Sequence, residues 1–393
     1  MGLNDTPRGE RIHISFFGRR NAGKSSLLNA VTNQDLSVVS DVAGTTTDPV
    51  IKSMELLPLG PVVIIDTPGF DDEGELGALR IEKTRQILSK TDIAVLVIDA
   101  TVGMSDVDTK LVSMFDENNI PYLKVFNKSD LSKTGDGLQV SAKENLNINE
   151  LKDAIASIMP QKEEKKIVSD LLQSGSLAVL VTPIDKAAPK GRLILPQQQT
   201  IRDLLDSGNI TAVCRETELE QTLKKLNQKP DIVICDSQVF KMVADTVCDD
   251  ILLTSFSILF ARYKGLLTEA VKGVSKINKL NEKSRILISE GCSHHRQCGD
   301  IGTQKIPALI RNKLNKDFDF EFTSGGTFPE DLSGYDLIVH CGGCMLNERE
   351  MLNRVEKAVS QNIPITNYGI LIAYLNGILK RSIEIFPDLH KLI

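Results

Sequence analysis

Residues 11–160 alternate short apolar runs with amphipathic stretches. The runs RIHISFFG, PVVIIDT, DIAVLVID and PYLKVFN are apolar at most positions, which is typical of strands buried on both faces of a parallel sheet. Because helical patterns separate these runs, the alternation predicts a doubly wound α/β domain. The segment PQKEEKK, Pro160–Lys166, is charged and has no apolar face, and it predicts a linker or a solvated helix end.

Two further series of the same βα style follow this linker. The strands that we predict in them are Leu177–Ile184, Thr211–Arg215, Asp231–Cys235 and Ile251–Ser255, then RILISEG, DFDFEFTSG, YDLIVHCG and PITNYG. The helices that we predict are Gln197–Asp206, Glu218–Leu226, Gln238–Val247, Ile258–Val271, Ile306–Lys313, Asn347–Gln361 and Ile370–Arg381. The polar stretch Lys272–Lys283 is typical of a second linker. We therefore expect an α/β chain of three domains with mostly parallel sheets, residues 1–165, 166–275 and 276–393.

Composition excludes several classes of protein. The chain has 393 residues, and 46 Lys and Arg against 52 Asp and Glu give a net charge of −6. No apolar run reaches the roughly 18–20 residues that span a bilayer, and the N-terminus lacks an apolar signal segment. Acidity disfavours nucleic acid as the main partner, since phosphate binding usually needs a basic domain. We expect a cytoplasmic protein with no membrane and no nucleic-acid partner.

The first apolar run is followed by a phosphate-binding motif. The sequence GRRNAGKS, Gly18–Ser25, matches GxxxxGK[ST] between a predicted strand and a predicted helix. Successive backbone N–H groups and the helix N-terminus form a nest for an anion. Lys24 would neutralise the β- and γ-phosphates, and Ser25 would ligate Mg²⁺. The residues expected to contact the nucleotide here are Gly18, Asn21, Ala22, Gly23, Lys24, Ser25 and Ser26.

Three more segments at carboxyl ends of predicted strands complete a guanine nucleotide site. In Asp66-Thr-Pro-Gly69, the Asp66 carboxylate can hold Mg²⁺ and the Gly69 amide can reach the γ-phosphate. In the NKSD sequence, Asp130 can accept both the ring N–H and the exocyclic amine of guanine, a donor pair that adenine lacks. The base-side residues are Asn127, Lys128, Asp130, Ser141, Ala142 and Lys143.

Cysteine and histidine cluster in the last third of the chain, which holds four of the seven cysteines. The sequence CSHH begins at Cys292 after one predicted strand, and HCGGC, His340–Cys344, ends another. The two glycines let the second loop turn sharply, and Cys344 is expected to open a helix whose dipole favours the thiolate. Cys298 is near enough to be a fourth thiolate. Such a set suits either zinc or an iron–sulfur cluster. The other cysteines, Cys214, Cys235 and Cys248, are expected in the core.

The four nucleotide motifs resemble those of translation-factor-like GTPases, in particular the Era/TrmE branch. The resemblance makes Gly44-Thr-Thr-Thr-Asp48 the first switch, with Thr46 as a Mg²⁺ ligand. Lys24, Thr46, Asp66 and Gly69 are then the catalytic set. Phe70 stands where Ras-like enzymes carry the glutamine that orients water. Relatives of this kind often use K⁺ instead, and Asn21 occupies the position that helps to hold it.

The combination of a GTPase domain, a middle βα domain and the CxH and HCxxC motifs resembles the FeFe-hydrogenase maturation GTPases of the HydF type. The resemblance implies a 4Fe-4S cluster on Cys292, Cys341 and Cys344, with an exchangeable fourth site. Cys298, His294 and His340 are then fourth ligands or neighbouring donors. It implies a homodimer formed by the middle domain, and a GTP- and Mg²⁺-dependent scaffold. That scaffold would carry a two-iron subcluster precursor from two radical-SAM maturases to apo FeFe-hydrogenase.

A second class of function is a ribosome- or tRNA-associated GTPase with a C-terminal zinc module. The metal distinguishes the two classes, because a scaffold would hold iron and sulfide and the alternative would hold zinc and bind RNA. The acidic composition disfavours RNA.

Overall fold

In the computed structural model, the described residues are 6–34, 49–70, 75–159, 165–184, 193–291 and 300–392. The chain divides into two compact units, Met1–Glu163 and Glu164–Ile393. Within the described part of the chain, none of the helices has the length and apolar character needed to span a bilayer.

The first unit is built on a six-stranded sheet in the order β2-β3-β1-β4-β5-β6. Its strands are β1 Ile12–Phe17, β2 Val50–Leu56, β3 Gly60–Asp66, β4 Ile93–Asp99, β5 Tyr122–Asn127 and β6 Leu138–Gln139. All neighbours are parallel except β2, which is antiparallel to β3. The four apolar runs are strands, so the predicted doubly wound α/β fold is confirmed. The pattern did not predict β2, because this edge strand has the mixed sequence VIKSMEL.

Helices pack on both faces of this sheet and enclose two separate apolar cores. They are α1 Lys24–Thr32, α2 Glu75–Leu88, α3 Asp106–Glu117 and α4 Ile148–Ser157. The start of α3 is fixed by a capping box, in which the Ser105 hydroxyl accepts from the Asp108 N–H and the Asp108 carboxylate accepts from the Ser105 N–H.

The second unit contains two four-stranded parallel sheets, ordered β10-β9-β7-β8 and β12-β11-β13-β14. The strands are β7 Leu177–Val181, β8 Ile210–Cys214, β9 Ile232–Cys235, β10 Leu252–Ser255, β11 Arg285–Glu290, β12 Asp319–Ser324, β13 Leu337–His340 and β14 Ile365–Asn367. One continuous apolar core runs through both sheets. The predicted βα style of both later series is therefore confirmed, and the three domain boundaries stay a prediction.

Nine α-helices are described in this unit. They are α5 Leu195–Asp206, α6 Leu219–Lys225, α7 Phe240–Thr246, α8 Phe256–Tyr263, α9 Leu267–Val274, α10 Ile306–Leu314, α11 Glu348–Ser360, α12 Tyr368–Leu375 and α13 Leu379–Ser382. The polar stretch 272–283 is not a free linker, since Val274 and Ile277 are buried and Gly273 packs against the backbone of Ile365 in β14.

Two of the predicted helices are each divided in the structure into two shorter helices. In both cases a glycine ends the first of the two. After α8, Gly265 has a φ of +78°, and bonds from its N–H to Arg262 O and from Leu266 N–H to Ala261 O close the turn. These two bonds form a Schellman motif. The same pair of bonds surrounds Gly377, at a φ of +75°, between α12 and α13. The predictions Ile258–Val271 and Ile370–Arg381 are therefore wrong as single helices.

Candidate functional site

The phosphate-binding loop joins β1 to α1. Asn21 and Gly23 have φ values of +61° and +85°, so the loop turns through left-handed conformations before α1 begins at Lys24. Gly18 has no room for a side chain, because a Cβ would collide with the carbonyl oxygen of Val97 in β4. The Lys24 ammonium donates to the carbonyl oxygens of Gly18 and Arg19, at 3.1 and 2.9 Å. The loop thus has the shape of an anion nest.

One carboxylate oxygen beside this loop lacks a partner. The Ser25 hydroxyl donates to Asp66 Oδ2 at 2.6 Å, where β3 ends beside the start of α1. Asp66 is 1% exposed, and its Oδ1 has no hydrogen-bond partner among the described residues. A buried oxygen without a partner is costly, and hard oxygen donors are what Mg²⁺ prefers. Ser25 and Asp66 therefore fit the predicted Mg²⁺ site. Thr46, the third predicted ligand, lies outside the described residues.

The segment after β3 packs against the phosphate loop. The Phe70 N–H donates to Gly18 O at 3.2 Å. A Cβ on Gly69 would lie 2.9 Å from Arg20 Cα, so the backbone approaches closely there. Phe70 is buried. Its side chain is apolar and cannot orient a water molecule as a glutamine would.

Asn127 ties three loops together on the base side. Its Nδ2 donates to Ala22 O at 3.1 Å, and its Oδ1 accepts from the Ala142 N–H at 3.0 Å. The Ser141 hydroxyl donates to Asp130 Oδ1 at 2.6 Å. The predicted motif residues from β1, β5 and the segment after β6 are thus brought to one edge of the sheet, as expected for a site at the carboxyl ends of strands.

The remaining predicted residues have simpler settings. Ser26 lies in the first turn of α1, and the Lys143 side chain is exposed beside Glu144. The sequence pattern missed Asp99, which ends β4 and accepts from Lys128 Nζ at 2.6 Å. Burial raises the pKa of Asp99, but hydrogen bonds from Lys128 and Thr101 outweigh it and lower the pKa from its ordinary value. Asp99 therefore holds Lys128 in place as a carboxylate.

The described part of the cysteine site is the loop that follows β13. Cys341 and Cys344 are both partly buried, and Gly343 between them has a φ of +64°. The N–H groups of Gly291 and Gly343 point at Cys341 Sγ, at 3.0 and 3.4 Å. Two neighbouring thiols, one of them with two N–H donors aimed at its sulfur, match the donor set of thiolate-bound zinc or iron–sulfur centres.

Cys292, His294 and Cys298 lie outside the described residues. Within the described ranges, no three His, Cys, Asp or Glu side chains are grouped to hold a metal ion.

Two expectations about cysteine are wrong. Cys344 does not open a helix, since Asn347 caps α11 and the helix begins at Glu348. Without that dipole, burial raises the pKa of Cys344 to about 11 and also raises that of Cys341. A metal would have to displace both thiol protons. The second wrong expectation concerns the three cysteines predicted in the core. Cys235 lies in the core and Cys214 is partly buried, but Cys248 is exposed.

His340 is buried and engaged at both ring nitrogens. Its Nδ1 lies 2.8 Å from Cys341 O, and its Nε2 lies 3.0 Å from a guanidinium nitrogen of Arg354. A carbonyl oxygen only accepts and a guanidinium only donates, so the proton is on Nδ1. Burial and then the charge of Arg354 lower the pKa of His340 to about 3. In this arrangement both ring nitrogens of His340 have partners, which favours a neighbouring donor over a fourth ligand.

Several residues that the sequence pattern missed line the same site. Buried Glu290 ends β11, and the Tyr368 hydroxyl donates to its Oε1 at 3.4 Å. Lys264, at the end of α8, is 2% exposed, and its charge lowers the pKa of Cys344 against the larger effect of burial. Glu290 lies in an apolar strand pattern and Lys264 in an apolar helix pattern, where a buried charge is unusual. A charged residue within an apolar pattern was therefore the sequence signal that could have identified Glu290 and Lys264.

Three family models match separate parts of the chain. Residues 13–128 match the family described as 50S ribosome-binding GTPase. Residues 167–265 match the hydrogen maturase F dimerization domain, and residues 268–385 match the hydrogen maturase F tetramerization domain. The N-terminal unit is thus a GTPase domain, and the rest of the chain carries two oligomerization domains.

Curated relatives match mainly the GTPase domain. GTPase Der of Wolinella succinogenes is 40% identical over 123 residues, covering 30% of this chain and 26% of that protein. The tRNA modification GTPase MnmE of Desulforamulus reducens is 31% identical over 164 residues, covering 38% and 35%. The chain therefore spans about a quarter to a third of the length of these relatives.

Solved structures also align. Era of Aquifex aeolicus bound to GDP·AlF4⁻ is 17% identical, covers 55% of this chain and 98% of its own, and has a TM-score of 0.34. Era in complex with MgGDPNP and part of 16S ribosomal RNA is 20% identical, covers 52% and 91%, and has a TM-score of 0.35.

Proposed function

The chain belongs to the hydrogen maturase F family, and from that premise we propose that it is a GTP-controlled scaffold for an iron–sulfur cargo. In this proposal it binds and hydrolyses GTP in its N-terminal unit. It holds a 4Fe-4S cluster in its C-terminal domain, residues 276–393, and carries a two-iron precursor. It receives the precursor from radical-SAM maturases and delivers it to apo FeFe-hydrogenase in the cytoplasm.

One contact carries the proposal for the cluster. The Gly291 N–H donates to Cys341 Sγ at 3.0 Å, and Cys292 is the next residue in the sequence. The strands β11 and β13 are parallel neighbours, so their carboxyl ends lie at one edge of the sheet. This arrangement supports the hypothesis that Cys292, Cys341 and Cys344 converge on one centre. When bound, a cluster held by three thiolates would supply an iron atom with an open coordination place for the cargo.

The nucleotide site supports hydrolysis of GTP. Lys24 would offset charge on the β- and γ-phosphates, while Ser25, Asp66 and Thr46 would hold Mg²⁺ between them. The Gly69 amide would bind the γ-phosphate, and Asp130 would select guanine. No glutamine follows Gly69, so we propose that Asn21 would help to hold a K⁺ ion, which would supply positive charge for phosphoryl transfer.

Oligomerization is part of the proposal. The matches to a dimerization and a tetramerization domain support assembly of identical chains, with residues 166–275 as the dimerisation domain. A scaffold that exchanges cargo with several partners gains from such symmetry, because each copy presents the same surface.

A transfer assay tests this function. The reconstituted chain, loaded with precursor by the maturases, is mixed with apo FeFe-hydrogenase, and hydrogen evolution is measured. We expect activation with the wild type and none with Cys344→Ala, which should keep GTP hydrolysis. If the wild type binds RNA and zinc and never activates the hydrogenase, the alternative of an RNA-linked GTPase replaces the proposal.

A further inference from the structure

Arg354 is a buried cation on α11 beside the cysteine loop. Its guanidinium donates to Glu350 Oε1 at 2.8 Å and to Gly325 O at 2.7 Å. It also donates to His340 Nε2 at 3.0 Å. Glu350 compensates the charge within the same helix, and the other two acceptors lie at the ends of β12 and β13. One side chain thus connects α11 to two strand ends at the edge where the cysteines lie.

The bond to His340 determines where the imidazole proton sits. A guanidinium has no acceptor atom, so His340 Nε2 must offer its lone pair and Nδ1 must carry the proton. The Nδ1–H then donates to Cys341 O at 2.8 Å. Arg354 therefore fixes the ring as one tautomer and, through it, the peptide that follows Cys341.

That peptide sets the position of the sulfur. The Cys341 N–H donates to Ser289 O at 2.9 Å, which anchors the residue to β11. Its carbonyl is held by His340, and its Sγ faces the N–H groups of Gly291 and Gly343. With both ends of the residue fixed, the thiol keeps its place without help from a metal.

We infer that Arg354 is a positioning residue for the cluster, acting through His340 to hold Cys341 in the ligating geometry. The inference rests on the proposed function, since it concerns the cluster that the loop would bind. Neighbours that orient a ligand typically change metal affinity by about 10–100-fold when they are removed. Loss of Arg354 should therefore speed release of iron, even though Arg354 is not a ligand.

The test compares Arg354→Met with Arg354→Lys and with Lys357→Met in the full chain. Lys357 lies one turn further along α11 and pairs with Glu330 at 2.7 Å, so it controls for loss of a cation on this helix. After anaerobic reconstitution, iron loss into a ferrous chelator is timed. We expect Arg354→Met to lose iron about 10–100-fold faster than the wild type, and Lys357→Met to match the wild type. Arg354→Lys should lose iron at an intermediate rate. Its ammonium can donate to His340, but it lacks the planar guanidinium that donates to His340, Gly325 and Glu350 together.

Two further measurements separate positioning from folding. GTP hydrolysis should stay at the wild-type rate in Arg354→Met, and the electron paramagnetic resonance signal of its reduced cluster should shift. His340→Ala and the double variant with Arg354→Met should lose iron equally fast, because the two residues act in series. Additive acceleration in the double variant, or a wild-type rate in Arg354→Met, would overturn the inference.

If Arg354→Met does not fold, His340→Asn replaces it. Asn keeps an N–H donor near the place of Nδ1 but offers no Nε2 to Arg354. It should lose iron more slowly than His340→Ala, and equal rates would contradict the relay. The proposed function fails separately, if the wild type takes up no iron and sulfide at all.

Discussion

At the scale of a single residue, the hydrogen bonding of the Asp66 carboxylate is incomplete and leaves one oxygen for a ligand. Its Oδ2 accepts from Ser25, and its buried Oδ1 has no partner within the described ranges. A carboxylate in this state is destabilising in the free protein, because burial removes its water without replacing it. Mg²⁺ would complete the site, so binding of the metal–nucleotide complex is expected to stabilise the N-terminal unit.

Base selection depends on Asp130. In Asp130→Asn, an amide donor replaces one of the acceptor oxygens that would face guanine. We expect GTP to bind at least about tenfold more weakly, the effect of losing roughly 1.4 kcal/mol, and xanthosine triphosphate to bind better than in the wild type. Competition binding measures both. The exposed Asp116→Asn on α3 should change neither, and equal competition by ATP and GTP in the wild type would refute the assignment of guanine.

The role proposed for Asn21 is tested with a matched asparagine. Asn21 and Asn33 are both exposed and both have left-handed backbones, at φ +61° and +52°. Replacing either by Gly keeps that conformation accessible and removes the whole side chain, including the carboxamide. GTP hydrolysis should be faster in KCl than in NaCl of equal ionic strength for the wild type and Asn33→Gly. The difference should vanish in Asn21→Gly; rates equal in both salts for the wild type would remove K⁺ from the mechanism.

At the scale of elements, Gly265 decides that α8 and α9 are two helices. A side chain there would be strained at φ +78° and would press against Leu352 Cδ2, 2.7 Å from the ideal Cβ. Gly265→Ala should lower the free energy of unfolding by about 1–2 kcal/mol. Gly326→Ala is the control, since φ is not positive there and no atom lies within 4 Å of its ideal Cβ. Urea unfolding followed by circular dichroism compares them, and equal midpoints would contradict this account of the turn.

The sequence predicted elements well where one signal dominated. Continuous apolar runs identified the central strands, because burial on both faces leaves no polar positions. The pattern merged helices at Gly265 and Gly377, since apolar periodicity continues through both and only the glycine marks the turn. It missed the edge strand β2, whose side chains face both core and solvent.

The sites were predictable only as far as local motifs reach. The nucleotide motifs lie close together because each follows a strand of one sheet. Arg354, Glu290 and Tyr368 carry no motif, and only the fold brings them to the cysteine loop. The roles of His340 as ligand or neighbour could not be separated by spacing, because its partner Arg354 lies 14 residues further along the chain.

At the scale of the whole molecule, the account requires that nucleotide chemistry and cluster binding can be lost separately. Lys24→Ala should abolish GTP hydrolysis and keep wild-type iron, because its ammonium donates to the phosphate-binding loop, at the Gly18 and Arg19 carbonyl oxygens, and the cysteine loop lies in the other unit. Cys341→Ala should abolish cluster binding and keep hydrolysis. Hydrolysis is measured by phosphate release and iron by a colorimetric assay on the same preparations. A Lys24→Ala protein without iron would show that the two sites depend on each other for assembly.

The most direct test of the central claim is an anaerobic determination of iron, acid-labile sulfide and zinc in the reconstituted full chain. A 4Fe-4S scaffold predicts about four iron and about four sulfide per chain, with negligible zinc and a marked loss of both iron and sulfide in Cys341→Ala. One zinc per chain without sulfide, retained through reconstitution with iron, would contradict the account.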